Sequence, residues 1–263
     1  VKRVLIAVPL LLAAGDALAW GLQTHVFFAQ HLLFTLPLLD PELRRAALRF
    51  PRLVLAGACL PDLALAGAAL GTPRFRRTHQ WAALRRLSAA DSDEERAVGL
   101  GYASHLLADV VAHNRFVPEH ERRVADVRHV THALAEWAMD DFLGHWVCAR
   151  PGELLETERA VLGEVVARRM RCEAALAQRA LGWLAGADRL LRGVRLPRLA
   201  RTLLARVDRC MAPRFEAYVR ETSALIGQAE TALGGIHPAG EPDPSAPDAA
   251  CLPPMVSLPQ SLR

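Results

Sequence analysis

Lysine is all but missing from this chain of 263 residues, and Lys2 is the only one. A P-loop lysine and Schiff-base chemistry are therefore excluded from the body of the protein. Tyrosine is nearly as scarce, with two residues, and all aromatics together make up 6%. There is no G-x-S-x-G nucleophile elbow, since Gly101-Tyr102-Ala103-Ser104 has the wrong spacing. Cys59, Cys148, Cys172, Cys210 and Cys251 are odd in number, and none belongs to a C-x-x-C pair. Neither a disulfide framework nor a thiolate metal site follows from them. No segment shows strand-like alternation between hairpin turns, and no long internal repeat is visible. The net charge of +4, from 32 basic and 28 acidic residues, is too mild to mark a nucleic-acid binder.

What is present is mostly alanine, leucine and arginine, in a chain 52% hydrophobic and 23% charged. That composition is globular and favours helix over sheet. Lys2 and Arg3 precede an apolar run, Val4 to Ala14, that is too short to span a bilayer. Ala17-Leu18-Ala19 then has the small-x-small form that signal peptidase cuts. Residues 1–19 thus read as a signal peptide, which implies a secreted or periplasmic protein beginning at Trp20. A buried N-terminal helix is the bland alternative.

Beyond it the chain reads as a run of helices. They are expected from His25 toward Leu39, from Pro41 to about Phe50 and from Thr78 to Leu87. Between Pro51 and Arg77 the chain is rich in Gly, Ala and Pro, with a loop near Gly71-Thr72-Pro73. Ser92-Asp93-Glu94-Glu95 has capping-box form and should open a helix that runs to about His113, with Pro118 ending it. Further helices are expected over 122–146, 153–172, 173–191 and 197–233. The fold class is therefore all-α, with a single multi-helix domain over 20–235. Residues 236–263 hold seven of the seventeen prolines and read as a mobile tail.

Ten histidines give the chemistry. The pattern H-x-x-x-[DE] should occur about once by chance, yet three instances occur: His105/Asp109, His132/Glu136 and His237/Glu241. The last lies in the tail and reads as coincidence. The first extends to His105-Leu-Leu-Ala-Asp109-Val-Val-Ala-His113, with ligand-type side chains at i, i+4 and i+8. Each step of four turns about 40°, so the three share one stripe of a helix. The residues between them are apolar, which puts that stripe inside. Buried imidazoles around a buried carboxylate need a partner, either a metal ion or a hydrogen-bonded core trio.

These residues resemble the zinc-dependent phospholipase C family, which is related to the secreted single-strand-specific zinc nucleases. The motif residues stand in the order Trp20, His25, Asp62, His79, His105, Asp109, His113, His132 and Glu136. Alone, each has an ordinary reading: Pro61-Asp62 as a turn, Thr78-His79 as a helix cap, Trp20 and His25 as core. The resemblance implies about three zinc ions, at least two. Asp62, His79, His105 and Asp109 would hold the first, and Asp109 would bridge to a second held by Trp20 and His25. His113, His132 and Glu136 would hold the third. Asp109 to His113 is shorter than in the best-known family members, so His113 is expected one helical turn beyond Asp109. His31, His120 and His145 match no family position.

The activity so implied is that of a hydrolase, a phosphodiesterase of phospholipase C type acting on phospholipid at a membrane surface. It would release diacylglycerol and a phosphorylated headgroup, with Asp62 as the catalytic carboxylate. A single-strand-specific nuclease is the alternative, and a non-catalytic zinc-stabilised module is a third. Aromatic platforms for bases are few here, which favours lipid. No protein partner is implied.

Overall fold

The computed structural model describes residues 21–35, 37–124 and 128–244. Trp20, the expected signal peptide over 1–19, and residues 245–263 with Cys251 lie outside the described residues. The fold is all-α, and no strand occurs among the described residues. Nor is there a disulfide among them.

Fourteen α-helices are described. In chain order they are α1 (Leu22–Thr35), α2 (Pro41–Arg49), α3 (Pro51–Gly57), α4 (Leu63–Ala69) and α5 (Trp81–Ser88). Then follow α6 (Asp93–Val111), α7 (Val117–Val124), α8 (Arg128–Leu143), α9 (Pro151–Thr157) and α10 (Arg159–Arg169). The last four are α11 (Ala174–Gly193), α12 (Leu196–Val207), α13 (Met211–Ile226) and α14 (Ala229–Leu233). Pro41, Pro51 and Pro151 each open a helix, where the missing N–H costs nothing.

The centre of the molecule is α6. Every residue from Ala97 to Ala112 is buried, as suits a helix apolar on all sides. It touches α1, α2, α3, α5, α13 and α14. Its start is capped as expected, with Ser92 Oγ accepting the Glu95 N–H at 3.2 Å. The reciprocal bond goes one residue further back, from the Asp91 N–H to Glu95 Oε2 at 2.9 Å. Two glycines bring α3 and α6 into backbone contact. A Cβ on Gly101 would meet the Val54 carbonyl oxygen at 1.9 Å, and one on Gly57 would meet the Val98 carbonyl oxygen at 2.5 Å. Only glycine allows that approach.

Several boundaries differ from expectation. The segment from Pro51 holds two short helices, α3 and α4, because its apolar residues are buried on all sides and show no period to read. Pro118 does not end a helix; it lies in the first turn of α7, where proline is tolerated. The span 197–233 is three helices. Asp208 interrupts it by accepting the Cys210 N–H at 2.9 Å, an alternative to the helical bond. Residues 237–244 do not trail away as a free tail. The His237 ring stacks on Trp81 at 4.5 Å, and Gly240 and Glu241 offer carbonyl oxygens to Trp81 Nε1 and Asn114 Nδ2 at 3.3 and 2.9 Å.

Candidate metal centre

The site forms where α1, the α3–α4 turn, α6 and α8 meet. One turn beyond the Gly101 crossing, His105 points toward the end of α3. Its Nδ1 lies 2.7 Å from the Ala58 carbonyl oxygen. A carbonyl can only accept, so Nδ1 carries the proton and Nε2 keeps its lone pair. That lone pair faces Asp109, with Nε2 to Oδ2 at 2.9 Å. His25 from α1 approaches the other oxygen, Nε2 to Oδ1 at 3.4 Å, and its ring stacks on His105 at 3.5 Å. Asp62 and His79 close the opposite side. His79 Nε2 is 3.3 Å from Asp62 Oδ1 and 3.7 Å from Asp109 Oδ2.

Two groups of ligand atoms result, each within 4.8 Å: His25, His105 and Asp109, and Asp62, His79 and His105. Asp109 offers one oxygen toward each side. Both its oxygens, and Nε2 of His79 and His105, are buried without a hydrogen-bond partner. Lone pairs turned toward one another in a dry pocket repel, and a divalent cation between them removes that cost. Nitrogen and oxygen donors from imidazole and carboxylate suit zinc.

The third set is looser. His132 Nε2 and Glu136 Oε1 are 2.5 Å apart on α8, but the His113 ring stands 5.5 Å from the His132 ring, centre to centre. The reason is local. α6 ends at Val111, and residues 112–116 form a π-helical turn. His113 is the second residue of that wider turn, half-buried beside His132 and within reach of the charges of His79 and His105. Trp20 lies outside the described residues, next to Gly21. The His237 ring stacks on Trp81, and the Glu241 carbonyl accepts from Asn114, the residue after His113.

Charges in the site respond to burial. Burial raises the Asp109 carboxyl well above the usual carboxylate range; His79 opposes the rise, while Asp62 and Asp243 add to it. Burial pushes Glu136 up to about 8, against the pull of His132. Burial lowers the His105 ring and, more strongly, His113, where His132 adds its own repulsion. The pocket thus disfavours charge of either sign on the protein alone and needs a cation to hold its carboxylates ionised.

Sequence reasoning missed the supports. Asp140 on α8 accepts the N–H and hydroxyl of Thr24 at 2.9 and 2.8 Å, capping α1 from across the fold. Gly21 permits this, because a Cβ there would meet the Asp140 carboxyl carbon at 2.4 Å. Arg192 on α11 completes the arrangement, with Nη2 2.9 Å from Asp140 Oδ2. The available signal was a helix start lacking a Ser, Thr, Asp or Asn cap of its own. A pocket of about 50 Å³ lies beside Asp62, lined also by Trp137, Trp183, Arg192 and Pro197.

Buried imidazoles and carboxylates converging on one interior helix make this a helical protein of the metal-ligating kind. A model of the zinc dependent phospholipase C family matches residues 24–161, a span that includes every proposed ligand from His25 to Glu136. The chain belongs to that family, which indicates a zinc-dependent hydrolase. No curated protein and no solved structure matches it. Among the described residues, no helix is long and apolar enough to cross a membrane.

Proposed function

We propose that the protein is an exported phospholipase C, hydrolysing phospholipids to diacylglycerol and a phosphorylated headgroup. The observation that carries this reading is the placement of Asp109 in a chain of this family: its Oδ1 faces His25, and its Oδ2 faces His105 and, further off, His79. In this reading Asp62, His79, His105 and Asp109 hold one ion. Trp20, His25 and Asp109 hold a second, and His113, His132 and Glu136 hold a third. Zinc, when bound, supplies Lewis acidity and activates water for attack at phosphorus.

The chain's own residues do the rest. Asp109 fixes the spacing of the two groups. The Ala58 carbonyl holds the His105 tautomer by accepting from Nδ1, which leaves Nε2 free to face a metal. Asp62 is the candidate to accept a proton from the attacking water, since it stands at the site's edge beside a pocket. Residues 1–19 would be removed on export, freeing the Trp20 amine, which can donate a lone pair only once its peptide bond to Ala19 is cut.

Two experiments test this. The zinc-loaded protein beginning at Trp20 is offered phospholipid vesicles and single-stranded RNA side by side. Release of phosphorylated headgroup is expected, whereas turnover of RNA alone would move the assignment to the nucleases. Zinc content is then compared between protein beginning at Trp20 and protein with one extra alanine before it. The extended form should hold less zinc; equal zinc content would remove Trp20 from the ligand set.

A further inference from the structure

α12 has two faces of different character. Pro197, Ala200 and Leu204 are buried against the body. On the other side Leu199, Leu203 and Val207 are 54%, 42% and 62% exposed. They stand at i, i+4 and i+8, about 40° apart, and so form one stripe of apolar surface. Arg198 and Arg206 flank it, and Arg195 and Arg209 stand at its two ends; all four are exposed. None has an acidic partner among the described residues. From Arg189 to Val207 the sequence contains no acidic residue. Asp208, which follows, is held by Arg214 at 3.0 Å.

A stripe of leucine and valine in water is unfavourable, and unpaired arginines beside it seek anions. A helix of this kind lies in the plane of a lipid surface, its apolar side chains below the headgroups and its arginines among them. Nucleic acid would satisfy the arginines but leave the apolar stripe in water. The location fits a lipid surface as well. α12 packs against α8, which carries His132 and Glu136, and Arg201 binds Asp141 of α8 at 2.7 Å. Pro197, in the first turn of α12, lines the same pocket as Asp62.

We propose that α12 is the element that seats this protein on anionic lipid surfaces, with Leu199, Leu203 and Val207 entering the interface and Arg198 and Arg206 binding its anions. The proposal rests on the phospholipase reading for its purpose, and its test is kept separate from that reading. The zinc-loaded protein is sedimented with phosphatidylcholine vesicles with or without cholesterol sulfate, an anion that no phosphodiesterase removes. Binding is expected only with the sulfate present and should weaken as salt is raised.

The double variants Leu199→Ser/Leu203→Ser and Arg198→Gln/Arg206→Gln should each bind about tenfold more weakly. Leu48→Ser, more exposed still but on α2, should bind as the unaltered protein does. Melting temperatures are measured to show that all variants fold. Equal vesicle binding by all variants would overturn the proposal. So would arginine-dependent binding of single-stranded RNA without vesicle binding, or an α12-dependent dimer in its place. Vesicle binding without headgroup release would remove the phospholipase reading and leave α12 as the anchor. Headgroup release from anionic vesicles at an undiminished rate by both double variants would do the reverse.

Discussion

Asp140 takes both the backbone N–H and the hydroxyl of Thr24, 116 residues earlier in the chain, and so ties the start of α1 to α8. His25 is the next residue on α1, and Glu136 lies one turn before Asp140 on α8. Asp140→Ala should therefore do two things. It should lower stability by about 1–3 kcal/mol through the lost cap and the loss of one of the two carboxylates that hold Arg192. It should also weaken zinc at the His25 group while sparing the Asp62 group. Zinc titration of the variant checks this; an unchanged isotherm would mean that α1 is positioned by its other contacts.

Chelation should destabilise the protein as well as inactivate it. Asp109 and Glu136 are buried, and without a cation burial disfavours their ionised forms. The melting temperature should fall in excess chelator and recover on adding zinc. Asp109→Asn should lose more zinc than any other single ligand change, because one carboxylate serves two groups. Metal analysis of the purified variant decides that.

The pairing of His105 with Asp109 was legible because helical spacing is short-range: their shared stripe follows from 3.6 residues per turn and needs no tertiary knowledge. His113 was placed on the same stripe, and a π turn at 112–116 replaces the regular helix there. Nothing local in Ala112-His113-Asn114-Arg115-Phe116 announces such a turn. Asp140 and Ala58 were not legible, since their roles arise from contacts between distant segments. Segment 237–244 was misread for a related reason. Its prolines indicate only that it is not helical, and its packing depends on Trp81 and Asn114.

Two helical glycines in opposite surroundings, Gly101 on α6 and Gly186 on α11, offer a sharp test. Gly101→Ala drives a methyl into the Val54 carbonyl and should separate α3 from α6, with loss of several kcal/mol and of zinc binding together. Gly186 on α11 has nothing within 4 Å of its missing Cβ. Gly186→Ala should be neutral or stabilising by about 0.5–1 kcal/mol. Thermal melts of the two variants compare the same chemical change at a crowded and an open position.

Stability should depend on acid through Glu95. Burial opposes its charge, but hydrogen bonding from Arg169, the Asp91 N–H and the charge of Arg168 together hold its carboxyl below the usual range. A carboxyl lowered by folding contributes stability above its unfolded pKa, and that contribution is lost as pH falls through the folded value. Glu95→Gln should thus cost about 1–2 kcal/mol near neutrality. The gap between the variant and the unaltered protein should close below about pH 4.5. A gap that stayed constant into acid would assign the role of Glu95 to packing alone.

The clasp of residues 237–244 on Trp81 and Asn114 sets an order on biogenesis. Trp81 follows His79 by two residues and Asn114 follows His113 directly, yet their partners Gly240 and Glu241 lie 159 and 127 positions away. Contacts of such long sequence separation form late and slowly. The candidate ligands are encoded by residue 136, but their surroundings are complete only once residues 240 and 241 have docked. A chain that has emerged only as far as Glu136 therefore carries the donor atoms without the segment that packs beside two of them, and trapping metal in this arrangement must wait for the last helices.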